Sequence, residues 1–83
     1  MILDEVSKAS RKVVGQKQTL RVLKNGEAKK VIVAENAENK DKEPVLQACL
    51  SKGIKVYTAE DMAALGKACG IKVGASVVAI LEE

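Results

Sequence analysis

The first part of the chain repeats hydrophobic residues at steps of three and four, which is the period of an amphipathic helix. An opening helix, ended by Gly15, is predicted from the apolar positions Ile2, Leu3, Val6, Ala9 and Val13. A second helix is predicted from Lys17 to Asn25, because Leu20 and Leu23 share one face and Asn25-Gly26 supplies residues that tolerate a left-handed C-terminal conformation.

Two further helices are predicted in the second half of the chain. One runs from about Lys42 to Lys52, with Pro44 in its first turn and Gly53 after its end. Its predicted buried stripe is Leu46, Cys49 and Leu50. The other begins with the acidic pair Glu60 and Asp61, which complements the helix dipole, and its predicted stripe is Met62, Leu65, Ala68 and Cys69.

Three short runs of β-branched and aliphatic residues predict strands between these helices. They are Lys30–Ala34, Ile54–Tyr57 and Ser76–Leu81, and the nearly continuous apolar content of the last places it at the centre of a sheet. Strands that alternate with helices predict an α/β fold. We expect a three-layer α-β-α sandwich with a small mixed sheet, formed by residues 1–83 as a single domain.

The composition excludes several classes of protein. The chain is 47% hydrophobic with one tyrosine and no phenylalanine or tryptophan, so its core must be aliphatic. Its longest apolar run, Ala75 to Leu81, is far shorter than the roughly 20 residues of a membrane span. Asp4 and Glu5 stand where a secretory signal would be positively charged. We therefore expect a cytoplasmic protein with no membrane contact.

Residues for enzyme or metal chemistry are scarce. The sequence has no histidine and none of the common nucleotide-binding, zinc-protease or serine-hydrolase motifs. Cys49 and Cys69 lack the spacing of a metal site, and they are interpreted as small core residues, with a regulatory thiol as the alternative. We expect no enzymatic activity, no metal and no cofactor.

Positive charge is concentrated in the first third of the chain. Residues 1–30 contain eight Lys and Arg against three Asp and Glu, a balance of +5, whereas residues 31–62 contain four against six, a balance of −2. Residues 63–83 are neutral, with two against two. This distribution is typical of a protein that meets a polyanion on one face, although a solvated basic helix would give the same pattern.

The segment Gly15–Arg21 places two glutamines and two cations at the start of the predicted second helix. Backbone N–H groups at a helix start favour anions, so phosphates can dock there. Glutamine amides both donate to and accept from base edges, whereas lysine only donates. An ordinary exposed helix start would show the same residues.

The segment Leu65–Ile80 runs from the fourth helix into the last strand and contains a loop flanked by Gly70 and Gly74. Ile71 and Val73 are apolar residues in a position where loops normally carry polar ones. They either close the end of the core or offer a small apolar surface to an unstacked base, as in the recognition of RNA bulges.

These two segments resemble the ribosomal protein family named for archaeal L7Ae and eukaryotic L30e, and the element order does so over essentially the whole chain. Members of that family bind kink-turns, which are RNA helices with a bulge followed by sheared G·A pairs. The chain is similar to a small bacterial member. The resemblance implies a non-catalytic RNA-binding protein whose partner is a structured RNA containing a kink-turn.

The resemblance also implies the contact residues. Lys17 and Gln18 occupy the positions of the family's guanine-reading Asn and Glu, and Arg21 occupies its basic position. The residues 71–75 match the loop that covers the flipped bulge nucleotide, with Gly74 where relatives often carry proline. The implied RNA-binding set is Gly15, Gln16, Lys17, Gln18, Arg21, Lys67, Ile71, Lys72, Val73 and Gly74.

Two functions follow from the resemblance. In the first, the protein is a monomer that binds a kink-turn on the ribosome or on another structured RNA. In the second, it is a protein-interaction or assembly module of the translation machinery that uses the same fold. A pure protein-binding version has no need for Gln16, Lys17, Gln18 and Arg21 together.

Overall fold

The computed structural model describes residues 2–83 and contains four helices and four strands within them. Their order along the chain is α1 (Ile2–Lys8), β1 (Arg11–Val14), α2 (Gln16–Lys24), β2 (Lys30–Ala34), α3 (Asn39–Lys52), β3 (Lys55–Ala59), α4 (Met62–Ala68) and β4 (Val77–Glu82). In this range no helix is long and apolar enough to cross a membrane.

The four strands form one mixed sheet in the order β1-β4-β2-β3. Strand β4 is antiparallel to both β1 and β2, and β2 is parallel to β3. The central position predicted for the last strand is therefore confirmed. All five residues from Val77 to Leu81 are buried, because both faces of this strand are covered.

The two faces of the sheet belong to two aliphatic cores, as the three-layer prediction requires. Alternate side chains of a strand point to opposite faces, so Ile32 and Val78 pack in one core while Val31 and Val33 pack in the other. The first core includes Val6 of α1 and Leu65 of α4. The second includes residues of α2 and α3, namely Val22, Leu23, Val45 and Cys49.

The predicted opening helix is wrong beyond its first two turns. Helix α1 ends at Lys8, and Arg11–Val14 forms an edge strand that pairs with β4. Val13 matches a helical spacing from Val6 and Ala9 only by coincidence. The backbone of Arg11–Val14 pairs with the distant strand β4 instead. The sheet therefore has four strands, whereas three were predicted.

The predicted buried stripe of the third helix is also wrong in part. Helix α3 begins at Asn39, so Pro44 is its sixth residue and lies beyond the first turn. Val45 and Cys49 face the sheet, whereas Leu46 is 36% and Leu50 81% exposed. The pairs Val45/Cys49 and Leu46/Leu50 are both apolar and both spaced i, i+4. Only the Val45/Cys49 pair packs against β2 and β4, so only this pair is buried.

The remaining predicted elements are confirmed within two residues of their predicted ends. Helix α2 ends at Lys24 with Asn25 as its C-cap, and Gly26 follows with φ of +74°. Helix α4 begins after Asp61, whose carboxylate accepts a hydrogen bond of 2.7 Å from the Ala64 N–H. Strand β3 extends to Ala59, two residues past its predicted end.

Candidate nucleic-acid interface

The two segments singled out in the sequence lie at the same end of the sheet. The Gly15 N–H, just before α2, donates a hydrogen bond of 2.9 Å to the carbonyl of Val77, the first residue of β4. The loop before β4 is attached to the start of α4, because the Ala75 N–H donates to the Met62 carbonyl at 3.0 Å. The start of α2 and the loop 70–75 are therefore neighbours through the first residue of β4.

The start of α2 is open for an incoming anion. Gly15 has φ of +102° and ψ of 157°, a conformation that residues with a side chain rarely adopt, and it turns the chain from β1 into α2. No side chain caps this helix start. Lys17, Gln18 and Arg21 are exposed, and their side chains make no hydrogen bond or ion pair within residues 2–83. These groups remain available to a ligand.

Gln16 differs from its neighbours in α2, because its side chain is bound within the protein. It is half-buried, and its Nε2 donates to the Lys40 carbonyl at 2.8 Å. The same nitrogen lies 3.4 Å from the Asp41 carbonyl oxygen. The amide nitrogen of Gln16 is thus already used in a contact between α2 and the first turn of α3.

The loop 70–75 folds back along α4. A Cβ atom at Gly66 would lie 2.1 Å from the Val73 carbonyl oxygen, so only glycine permits this approach. The Ile71 N–H donates to the Gly66 carbonyl at 3.1 Å. With its backbone held in this way, the loop turns its apolar side chains outward: Ile71 is 37% and Val73 71% exposed. The Val73 side chain does not close the core.

The other predicted contact residues are exposed around this loop. Lys72 and Gly74 lie within it, and Lys67 follows Gly66 on α4. The φ of Gly74 is not positive, but a Cβ there would lie 3.0 Å from the Met62 Cβ, which is a tight contact. Packing against Met62 therefore limits the side chain that position 74 accepts.

Part of the positive charge in the first third of the chain is neutralised by ion pairs with glutamates of the same chain. Arg11 forms an ion pair of 3.2 Å with Glu82. Lys30 is bound by Glu5 of α1 and by Glu83, whose Oε1 lies 3.0 Å from its Nζ. The hydrogen bonds that the Lys30 ammonium donates to Glu5 and then to Glu83 raise the pKa of Lys30 above its usual value. On α2, which lies in this third of the chain, the cations without an ion pair are Lys17, Arg21 and Lys24.

The segment between β2 and α3 also reaches this end of the sheet, and the sequence did not reveal its contacts. The Asn36 Oδ1 accepts a hydrogen bond of 2.8 Å from the Met62 N–H at the start of α4. The Lys42 Nζ donates to the Glu35 carbonyl at 2.9 Å. Only the tertiary structure brings these residues beside the two predicted segments.

The cysteines are separate free thiols. Cys49 is buried in one core, and Cys69 packs half-buried against the other. Burial raises the pKa of the Cys49 thiol, and it also raises that of Cys69, where Lys12 partly opposes the effect. Both shifts favour the unreactive protonated form. Over residues 2–83 no three His, Cys, Asp or Glu side chains gather as a candidate metal site.

Comparison with known proteins places this arrangement in a family. The model of the "Ribosomal protein L7Ae/L30e/S12e/Gadd45 family" matches residues 2–83. The chain belongs to this family. The resemblance seen in its two glycine-containing segments is thereby confirmed.

Relatives in the L7Ae/L30e family are similar over nearly their full length. The chain is 47% identical over 81 residues to the RNA-binding protein YbxF of Geobacillus stearothermophilus, covering 98% of this chain and 99% of that one. It is 40% identical over 84 residues to the large ribosomal subunit protein eL30 of Archaeoglobus fulgidus, covering 99% and 92%. The structure of the 15.5kD RNA binding protein of Giardia lamblia shares the fold with a TM-score of 0.86 at 24% identity, covering 99% and 69%.

Proposed function

We propose that this L7Ae-family protein is an RNA-binding protein and that it recognises kink-turns. The observation that carries the proposal is that two different surfaces meet at one end of the sheet. One is the uncapped start of α2 with exposed Lys17, Gln18 and Arg21, and the other is the loop with exposed Ile71 and Val73. The names of the bacterial relatives support RNA as the ligand.

Each surface suits one part of a kink-turn. The Lys17 ammonium can donate to guanine O6 or N7, and the Gln18 amide oxygen can accept from guanine N–H groups at the sheared pairs. Arg21 lies one helical turn from Lys17 on the same face of α2 and suits a phosphate. Ile71 and Val73 provide an apolar patch for the splayed bulge base. The single tyrosine lies in β3, so aromatic stacking is not used in this account.

Residues 1–83 act as one RNA-binding domain, as a monomer, without a cofactor and without catalysis. The RNA is a ribosomal or other structured RNA in the cytoplasm. The relative named as a ribosomal subunit protein supports the ribosomal variant of this setting.

A titration with two RNAs tests the proposal. We expect the protein to bind a kink-turn RNA much more tightly than a straight duplex of the same composition that lacks the bulge. Affinity should fall with salt, because every phosphate contacted by Lys or Arg releases counterions. Arg21→Ala should reduce the slope of affinity against salt by about one, because Arg21 is the residue assigned to a phosphate. Fluorescence anisotropy at several salt concentrations measures all three quantities.

Equal affinity for the two RNAs would contradict recognition of the kink-turn. No affinity for either, or an affinity independent of salt, would instead favour the protein-interaction module as the function of this fold.

A single substitution tests the base contact assigned to Gln18. We expect Gln18→Ala to weaken binding of the kink-turn by about 1–3 kcal/mol and to reduce discrimination against RNA with mutated G·A pairs, as the loss of a base-edge contact does. Lys24→Ala is the control, since this exposed cation at the far end of α2 is screened by salt and reads no base. If both substitutions weakened matched and mutated RNA equally, Gln18 would not read the sheared pairs.

A further inference from the structure

The side chain of Gln16 connects two helix starts that are distant in sequence. Gln16 is the first residue of α2, and its Nε2 donates to the carbonyl of Lys40, the second residue of α3, at 2.8 Å. The two residues are 24 positions apart. We call this hydrogen bond the Gln16–Lys40 link.

The Lys40 carbonyl lacks the usual donor within α3. In an α-helix a carbonyl accepts from the N–H four residues later, which for Lys40 is residue 44. That residue is Pro44, which has no N–H. The Gln16 amide supplies a donor in its place, at 2.8 Å. The 3.4 Å contact with the Asp41 carbonyl is a weaker addition.

We propose that Gln16 is a positioning residue for the RNA interface and not an RNA contact. Through the carbonyl that finds no N–H donor at Pro44, it fixes the start of α2, with Lys17 and Gln18, against the start of α3. The link thus sets the position of these two side chains relative to α3 before any RNA arrives. This role rests on the proposed function.

The physical basis is preorganisation. The start of α2 has no side-chain cap of its own, so the side chain of its first residue is held by the Gln16–Lys40 link. Without the link, the first turn of α2 would have more freedom in the free protein, and the loss of that freedom on binding opposes association. Lys17 contributes its charge directly, whereas Gln16 contributes by holding the surface on which that charge sits.

The test replaces Gln16 with methionine, which keeps the length and removes the donor. In the free protein, Gln16→Met should shift the carbonyl carbon resonance of Lys40 and speed amide hydrogen exchange in the first turns of α3. Affinity for a kink-turn RNA should fall roughly 2- to 10-fold, as for the loss of one neutral hydrogen bond, while the slope against salt stays unchanged. The control Arg21→Met should leave the α3 resonances in place and lower the slope, because it removes the cation assigned to a phosphate.

A second variant separates positioning from contact. Pro44→Ala gives the Lys40 carbonyl a donor within α3, so the effects of Gln16→Met on α3 and on affinity should be smaller in this background. The same loss of affinity in both backgrounds, or unchanged α3 resonances after Gln16→Met, would overturn the inference. If the unsubstituted protein bound no kink-turn RNA, the proposed function would fail, and the measurements on free protein would still decide whether the link holds α3.

Discussion

Replacing both Ile71 and Val73 with serine is expected to weaken binding of a bulged kink-turn RNA by roughly 10- to 100-fold. The expected loss reflects the burial of one aliphatic side chain of this size, which contributes about 1.5–3 kcal/mol. Val73 is 71% exposed in the free protein, so its apolar surface is available to be covered by a base. Binding of a duplex without the bulge should change much less.

The chain offers a matched control for this double substitution. Leu46 and Leu50 on α3 are 36% and 81% exposed, close to the 37% and 71% of Ile71 and Val73. Replacing both leucines with serine removes a similar apolar surface outside the proposed interface, and affinity for either RNA should be retained. A lower melting temperature with unchanged affinity for bulged RNA in the Ile71 and Val73 variant would refute the proposed role of the loop.

Gly66→Ala is expected to have the largest effect on the fold around the interface. By helix propensity alone this change within α4 would stabilise the protein by roughly 1 kcal/mol. The new Cβ, however, would lie 2.1 Å from the Val73 carbonyl oxygen, and the neighbour is backbone that cannot rotate away. We expect a net loss of about 1–3 kcal/mol in the free energy of unfolding, with the loop 71–74 displaced from α4.

Urea unfolding measures this loss, and amide chemical shifts report the displaced loop. Ala63→Gly, on the exposed face of the same helix, is the control and should cost only about 1 kcal/mol through propensity. Kink-turn affinity of folded Gly66→Ala protein should fall together with the loop shift. A variant as stable as the original, with unshifted loop resonances, would show that the loop does not depend on this close approach.

Much of the fold could be predicted from the sequence because several elements have strong local signals. The β-branched run at Lys30–Ala34 and the continuous apolar run before Glu82 gave two interior strands. Strand β1 could not be found in this way, since its four residues form an edge strand that depends on β4, about 70 positions later. Val13 instead matches the helical spacing of Val6 and Ala9.

In the candidate site, too, some features follow from the local sequence and others depend on tertiary contacts. Exposure of Lys17 and Gln18 could be expected from local pattern, because they lie in a helix start, whereas the sequence left open whether Val73 closes the core or is exposed. The role of Gly66 depends on the Val73 carbonyl, and the Gln16 side chain donates to a carbonyl of α3. Such tertiary contacts have no local signal, so the sequence alone does not distinguish Gln16 from its exposed neighbours.

Amide chemical-shift mapping during titration with a kink-turn RNA tests directly whether one RNA contacts both segments. We predict that resonances of residues 15–21 and 67–76 change together and saturate together, because both segments meet one RNA at one end of the sheet. Resonances at the opposite end of the sheet, such as those of Lys52 and Lys55, should stay in place. Changes concentrated on the exposed α3 leucines, or changes in only one of the two segments, would contradict it.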